Sequence, residues 1–275
     1  MISRRILLAS PLVFASSPAF AGYAASAWSR DTKSGVRLIA GPISAKANIL
    51  NAGIHVALDG NTKTYWRTPG DSGVPPTFDW SASDNVSAVT VRWPAPRRFS
   101  DGSGFSIGYK ADVVFPLEVS PKDPNRPVLL ALAMDYAVCD TMCIPAKGAA
   151  RLALLPGASP PPVIATLFQN HATRVPTLNA RGFGLELTAV DRSGPHPRIT
   201  LVATVPAETG VDLFAEGPDP TWNLPLPDAL DQAGPMRRFS LVLEGAPRGI
   251  DPLEHRITYT LTAGDHAFES ALASR

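Results

Sequence analysis

Cysteine is nearly absent from this chain: two residues in 275, Cys139 and Cys143. That count excludes a fold stapled by several disulfides and a four-cysteine metal site. An excess of charge of either sign is missing as well, with Lys+Arg 25 against Asp+Glu 24 and charged residues at only 18%. Nucleic-acid binders show a clear basic excess, so this balance argues against a phosphate-tracking surface. Beyond the amino-terminal leader no segment reaches eighteen uninterrupted apolar residues, so no transmembrane helix is expected in the mature chain. Long helical periods are lacking too, and the surplus explains why. Pro 28 and Gly 21 together make up about 18% of the residues, against about 12% on average. Proline breaks helices and removes sheet donors, which excludes a helical bundle and favours short strands joined by Pro-rich turns. At 45% hydrophobic, the chain has ample material for a core, and global disorder is excluded.

The first 21 residues read as a cleaved secretory signal. Arg4 and Arg5 supply the basic start, Ile6 to Phe14 the short apolar run, and Ala19-Phe20-Ala21 the small-x-small cleavage site. The run is too short to span a bilayer. Ser3-Arg4-Arg5 matches a twin-arginine signal only in part. With no cysteine at the cleavage site, a lipoprotein anchor is excluded. The mature chain is expected to start near Gly22 and to work in an oxidising compartment, where Cys139 and Cys143 can pair.

Alternating apolar and polar residues mark half-buried strands. Ile54, Val56 and Leu58 share one face of Ile54–Leu58, and Val89, Val91 and Trp93 share one face of Val89–Trp93. Further strands are expected at Val36–Ala40, Phe105–Tyr109, Val113–Val119, Val128–Tyr136 and Ala150–Leu155. Turn clusters at 59–61, 69–73, 101–104 and 121–127 separate them. This spacing predicts a β-sandwich over residues 22–157. Pro160-Pro161-Pro162 then opens a linker, 158–181, with a short helix over Val163–Ala172. Strands resume at Gly184–Val190, Ile199–Val205, Val211–Ala215, Arg238–Leu243 and His255–Thr262, so residues 182–275 are expected to form a second, smaller β domain. The whole is an all-β protein.

The stretch Tyr136-Ala-Val-Cys139-Asp-Thr-Met-Cys143-Ile-Pro145-Ala carries the chemistry, and four readings compete for it. As a structural staple the pair closes a ring of about five residues, which by loop-closure entropy contributes roughly 2 kcal/mol, little for a domain of this size. A zinc site fails on ligand count, because the five histidines show no paired spacing with the cysteines. Met134, Cys139, Met142 and Cys143 are soft donors within ten positions, a set suited to Cu(I) and hence to copper handling or copper tolerance. Met134 is equally accounted for by core packing. A redox-active dithiol is the fourth reading: close cysteines in a small ring make an exchangeable bridge. Gly104-Phe105-Ser106-Ile107-Gly108 fits the G-x-S-x-G pattern, but a β-rich sequence follows where a helix is required, so a serine hydrolase is not expected.

Several ordered blocks narrow the choice. Trp66-Arg67-Thr68-Pro69-Gly70-Asp71-Ser72-Gly73-Val74-Pro75-Pro76-Thr77-Phe78-Asp79-Trp80 comes first, then Trp93-Pro94-Ala95-Pro96-Arg97-Arg98-Phe99, then Gly108 to Leu117, and finally Asp135 to Cys139 and Cys143 to Ala146. Together they resemble the amino-terminal periplasmic domain of the DsbD/ScsB thiol:disulfide interchange proteins, over roughly residues 30 to 157. The second β domain resembles, more loosely, the extra immunoglobulin-like unit of ScsB-type proteins. The resemblance implies an immunoglobulin-like β-sandwich in the periplasm whose catalytic pair is Cys139 and Cys143, with Cys143 forming the mixed disulfide and Cys139 resolving it, and with no bound cofactor. It implies a thioredoxin-like protein or a membrane electron-transfer protein as electron donor and periplasmic disulfide proteins as acceptors. It also implies a cap loop, for which Thr68, Pro69, Gly70 and Asp71 are the candidates, with Tyr65 and Trp66 as shielding aromatics. Asp140 should disfavour a neighbouring thiolate, and an inward Lys147 should favour one. Relatives carry a transmembrane domain and a thioredoxin-like domain that this chain is not expected to supply, so electrons would arrive from a separate protein. The competing expectation is an exported, non-enzymatic β-sandwich interaction module with a structural disulfide.

Overall fold

A computed structural model describes residues 24–71, 73–102, 104–178, 181–206, 210–231 and 234–273. The expected signal segment, 1–21, lies outside the described residues. The strands are β1 (Ser29–Asp31), β2 (Ser34–Ala40), β3 (Leu50–Leu58), β4 (Lys63–Gly70), β5 (Thr77–Asp79), β6 (Val86–Val91), β7 (Arg97–Asp101), β8 (Gly104–Tyr109), β9 (Val113–Pro121), β10 (Val128–Cys139) and β11 (Cys143–Leu154). Helix α1 (Pro162–Ala172) follows. The remaining strands are β12 (Gly184–Asp191), β13 (Arg198–Thr204), β14 (Val211–Glu216), β15 (Asp228–Ala229), β16 (Met236–Val242), β17 (Arg256–Ala263) and β18 (His266–Ala273).

Two sheets form the first sandwich, one ordered β1-β2-β3-β9-β6 and the other β11-β10-β4-β8-β7, with β5 also paired to β10. Their facing side chains, among them Leu38, Ile54 and Phe115 on one side and Trp66, Leu130 and Leu152 on the other, make the large core. The apolar runs in β2 and β9 bury both faces, because α1 covers the outer one: Ile39 and Val114 pack against Phe168, Ile164 and Leu167 of the helix. Pro162 occupies the first helical turn, where its missing N–H costs nothing, and the helix begins one residue before the expected start. A four-stranded sheet, β12-β13-β16-β15, and a three-stranded one, β14-β17-β18, build a second, smaller sandwich. Its core includes Leu201, Phe239, Leu241, Leu213, Tyr259 and Leu261. No helix among the described residues is long and apolar enough to cross a membrane.

The G-x-S-x-G segment is strand β8 with Ser106 fully buried in it, so no nucleophile is presented there. Near the end of α1, burial, Arg174 and His55 hold the His171 imidazole down at about 4. The unfolded chain takes up that proton near pH 6.5 and the folded one only near 4. Stability is therefore expected to fall as the pH drops through that window. His171→Gln is expected to flatten this loss, read as the urea midpoint at pH 7 and pH 4.5 in both proteins.

Candidate functional site

β10 and β11 are twelve residues each and pair along their whole length, ending in the register Cys139↔Cys143. The hairpin runs three residues further along β10 than the sequence alone suggests. Asp140-Thr141-Met142 turns the chain, and Met142 stands 72% exposed at the tip. Directly opposed residues of an antiparallel pair put their Cβ atoms on the same face, and here the two cysteines are joined by a disulfide with their Cα atoms 4.1 Å apart. The two ends of the bridge differ in access. Cys139 is only 2% exposed, whereas Cys143 is exposed.

One side chain contacts both sulfurs. The Tyr65 hydroxyl lies 2.6 Å from Cys139 Sγ and 3.1 Å from Cys143 Sγ. Disulfide sulfurs carry no hydrogen, so the phenol O–H is the donor. Tyr65 reaches them from β4, whose first residues pair with the end of β10 through Val138↔Thr64 and Cys139↔Lys63. Tyr65 opposes Gly108 of β8, and a Cβ on Gly108 would strike the carbonyl of Thr64, so glycine there permits the close approach of the two strands. Tyr65, Ala137 and Cys139 form a small buried cluster of their own.

The other predicted site residues fall into distinct places. Trp66, next along β4, faces the opposite side and is buried in the large core against Phe214, with ring centroids 5.8 Å apart. It does not shield the bridge. Thr68 donates to Glu216 at 2.7 Å. Gly70 has a positive φ of 84° where a Cβ would meet the Phe105 carbonyl, and Asp71 accepts the Phe105 N–H at 2.9 Å. Gly73 lies against Tyr65: a Cβ there would be 2.6 Å from Tyr65 Cδ1. The contact with the phenol ring thus comes from Gly73, just beyond the candidate cap residues, and Ser72 lies outside the described residues.

Two electrostatic expectations are corrected. Lys147 points outward to Asp135 at 2.8 Å, with 84% of its side chain exposed; that carboxylate raises its pKa, and the ammonium does not serve the sulfurs. Asp140 is met by Lys33, at 3.4 Å, from the β1–β2 turn. The basic residue on the correct face is Lys63, buried and in register with Cys139. The sequence offered no signal for it beyond its place before Tyr65. The four-sulfur Cu(I) set is not assembled either. Met134 is buried in the large core, five extended residues or about 16 Å along β10 from Cys139.

Comparison with known proteins agrees with this geometry. Residues 39–154 match the model of the family described as thiol:disulfide interchange protein DsbD, N-terminal. Among solved structures, the N-terminal periplasmic domain of ScsB from Proteus mirabilis superposes with a TM-score of 0.68 at 19% identity, over 91% of this chain and 98% of that one. At that identity the likeness concerns the fold, and its coverage takes in both sandwiches. No curated protein matches the chain.

Proposed function

Since residues 39–154 match the model of the DsbD amino-terminal family, we propose that the protein is a periplasmic thiol:disulfide exchange protein that relays electrons through Cys139 and Cys143. The observation that carries this reading is the asymmetric bridge: one sulfur residue open at a hairpin tip, the other buried, and a phenol donating to both. A thiolate of a thioredoxin-like or membrane-bound donor attacks Cys143 Sγ. A new intermolecular S–S bond forms, the Cys139–Cys143 bond breaks, and its electron pair leaves on Cys139 Sγ, where the Tyr65 hydroxyl donates to the new thiolate. A second donor thiolate then releases the chain as a dithiol. In the outward half-reaction the Cys143 thiolate attacks the disulfide of a periplasmic acceptor, and Cys139 resolves the mixed disulfide. The protein passes from dithiol back to disulfide as the acceptor is reduced. Only protein sulfur is used, and no bound cofactor enters any step. The three-part amino-terminal signal supports export to the compartment where such exchange is needed.

The test is the redox equilibrium of the purified mature chain in glutathione buffers, with thiols counted by alkylation and mass. A measurable mixture of both forms is expected above about −300 mV, the range of exchangeable bridges. A bond that remains oxidised throughout that range would leave only a local brace and overturn the reading.

A further inference from the structure

We propose that the second sandwich acts as an ionic clamp on β4, and that Arg67, gripped by Glu216 and Glu269, is a positioning residue for the Tyr65 hydroxyl at the bridge. This rests on the exchange function above and assigns the second sandwich a part in it.

The reason lies in how β4 is supported. On the β10 side its ladder covers Lys63 and Thr64. On the β8 side Tyr65 pairs with Gly108, and the next pairing is Gly70 with Ser106. Four residues of β4, 66 to 69, therefore stand against Ile107 alone. Tyr65 is the last residue before a segment that has left both neighbouring ladders.

The second sandwich supplies the missing support. β14 is a strand with two different faces. Leu213 and Ala215 point into the second core, while the alternate residues Asp212, Phe214 and Glu216 meet the first sandwich. Asp212 takes a fork from Arg98 at 2.7 and 3.1 Å. Phe214 enters the large core beside Trp66. Glu216 accepts from Arg67 Nε at 2.8 Å and Nη2 at 2.7 Å, and from Thr68 Oγ1 at 2.7 Å. Glu269 of β18 adds a further acceptor for Arg67 Nη2 at 2.5 Å. The guanidinium also lies over Trp66, 4.5 Å from the ring centroid. Trp66, Arg67 and Thr68 are thus each held from the second sandwich, directly after the residue that touches both sulfurs. Burial disfavours the charge on Arg67, but the hydrogen bonds and charges of the two glutamates outweigh it and raise its pKa. A planar fork on a carboxylate, partly desolvated, fixes orientation in a way a surface ion pair does not.

A brace that only adds stability and a clamp that sets Tyr65 predict different couplings. The experiment follows reduction of the bridge by dithiothreitol in the full mature chain, with the four combinations of Tyr65→Phe and Glu216→Gln. Glutamine keeps the volume and one acceptor, so the fold is retained. Tyr65→Phe is expected to slow reduction about tenfold, as the leaving Cys139 sulfur loses its donor. Glu216→Gln is expected to slow it about fourfold where Tyr65 is present and to have almost no effect where the hydroxyl is already gone, the non-additivity expected of coupled groups. Arg67→Lys, which keeps the charge and loses the fork, should reproduce the Glu216→Gln pattern. A second readout is the Tyr65 Cζ resonance of the oxidised protein labelled with 13C-tyrosine. It should shift in Glu216→Gln while that of Tyr259, in the second core, stays in place. Equal slowing with and without the hydroxyl, together with an unmoved Tyr65 resonance, overturns the clamp and leaves exchange standing. A bridge inert to dithiothreitol in every variant, with a Tyr65 resonance that still responds to Glu216→Gln, overturns exchange and leaves the clamp.

Discussion

Replacing Cys139 by alanine is expected to leave a protein that captures a partner covalently, whereas Cys143→Ala is expected to capture almost none. Thiol attack on a disulfide needs the incoming sulfur to approach along the S–S axis, behind the sulfur being attacked, with the other sulfur departing. Cys143 is exposed at the end of a hairpin whose next residue outward, Met142, is itself exposed, so that line of approach is open there. Behind Cys139 the line is closed, because the residue is buried in the cluster with Tyr65 and Ala137. Departure favours the same assignment, since the stronger Tyr65 contact, 2.6 Å, is to Cys139 Sγ, the sulfur that leaves as thiolate. The difference should be large. In the single variants, alkylation of the remaining Cys143 thiol by iodoacetamide should exceed that of the remaining Cys139 thiol by about two orders of magnitude, since reactivity follows exposure and thiolate character. The same pair should be incubated with a thioredoxin-like protein lacking its resolving cysteine and separated on a non-reducing gel. A covalent band only with Cys143→Ala would reverse the roles.

The parts of this site that lie close in sequence were legible before any fold was known. Alternation marks the strands around Ile54 and Val89, and the export signal together with only two cysteines, four positions apart, is enough to expect that they can pair. The continuous apolar stretches in β2 and β9 were read as strands too, although why they bury both faces becomes clear only with α1 lying across them. Strand β4 carries no strand signal in the sequence. Its carboxy-terminal half carries Pro69 and Gly70 and leaves the ladder after Tyr65, so it has the composition of a turn while its first half completes a sheet. The resemblance implies shielding by both Tyr65 and Trp66, but neighbours in an extended strand face opposite ways, and only Tyr65 reaches the sulfurs. Lys147 is near Cys143 in sequence, yet the register Asp135↔Lys147 pairs it with a carboxylate away from the bridge. Lys63, 76 positions before Cys139, arrives in register with it through the sheet. Such long-range neighbours are set by strand order and by how sheets stack, and no local pattern encodes them. The two faces of β14 are the clearest instance: the alternation in Val211-Asp-Leu-Phe-Ala-Glu216 identifies a strand, but not that both of its faces are covered by protein.

Phe214→Ala should then be the most damaging substitution in the second sandwich, although it removes nothing from that sandwich's own core. The ring is fully buried among residues of the first core and sits 5.8 Å from Trp66. Truncating a buried phenylalanine costs about 3–5 kcal/mol when the surroundings cannot collapse into the space. Here collapse is opposed on both flanks, since Asp212 and Glu216 pin the neighbouring same-face positions of β14 to Arg98 and Arg67. The alternate face of the strand predicts a contrast. Leu213→Ala, in the second core, should lower the stability of that sandwich by about 2–5 kcal/mol, while leaving Trp66 in its native environment until unfolding begins. Phe214→Ala should change the tryptophan fluorescence of the folded state, because Trp66 loses its ring partner, and should also shift the urea midpoint. Fluorescence and far-ultraviolet dichroism followed together in urea read both effects. If the halves are held mainly by this ring and the two ion pairs, the variant should lose coincidence of the two probes, with the second sandwich melting first. A Phe214→Ala protein with native fluorescence, an unchanged midpoint and coincident transitions would show that β14 rests on the first sandwich without supporting it. The grip of Glu216 on Arg67 would then be too weak to hold Tyr65 over the bridge.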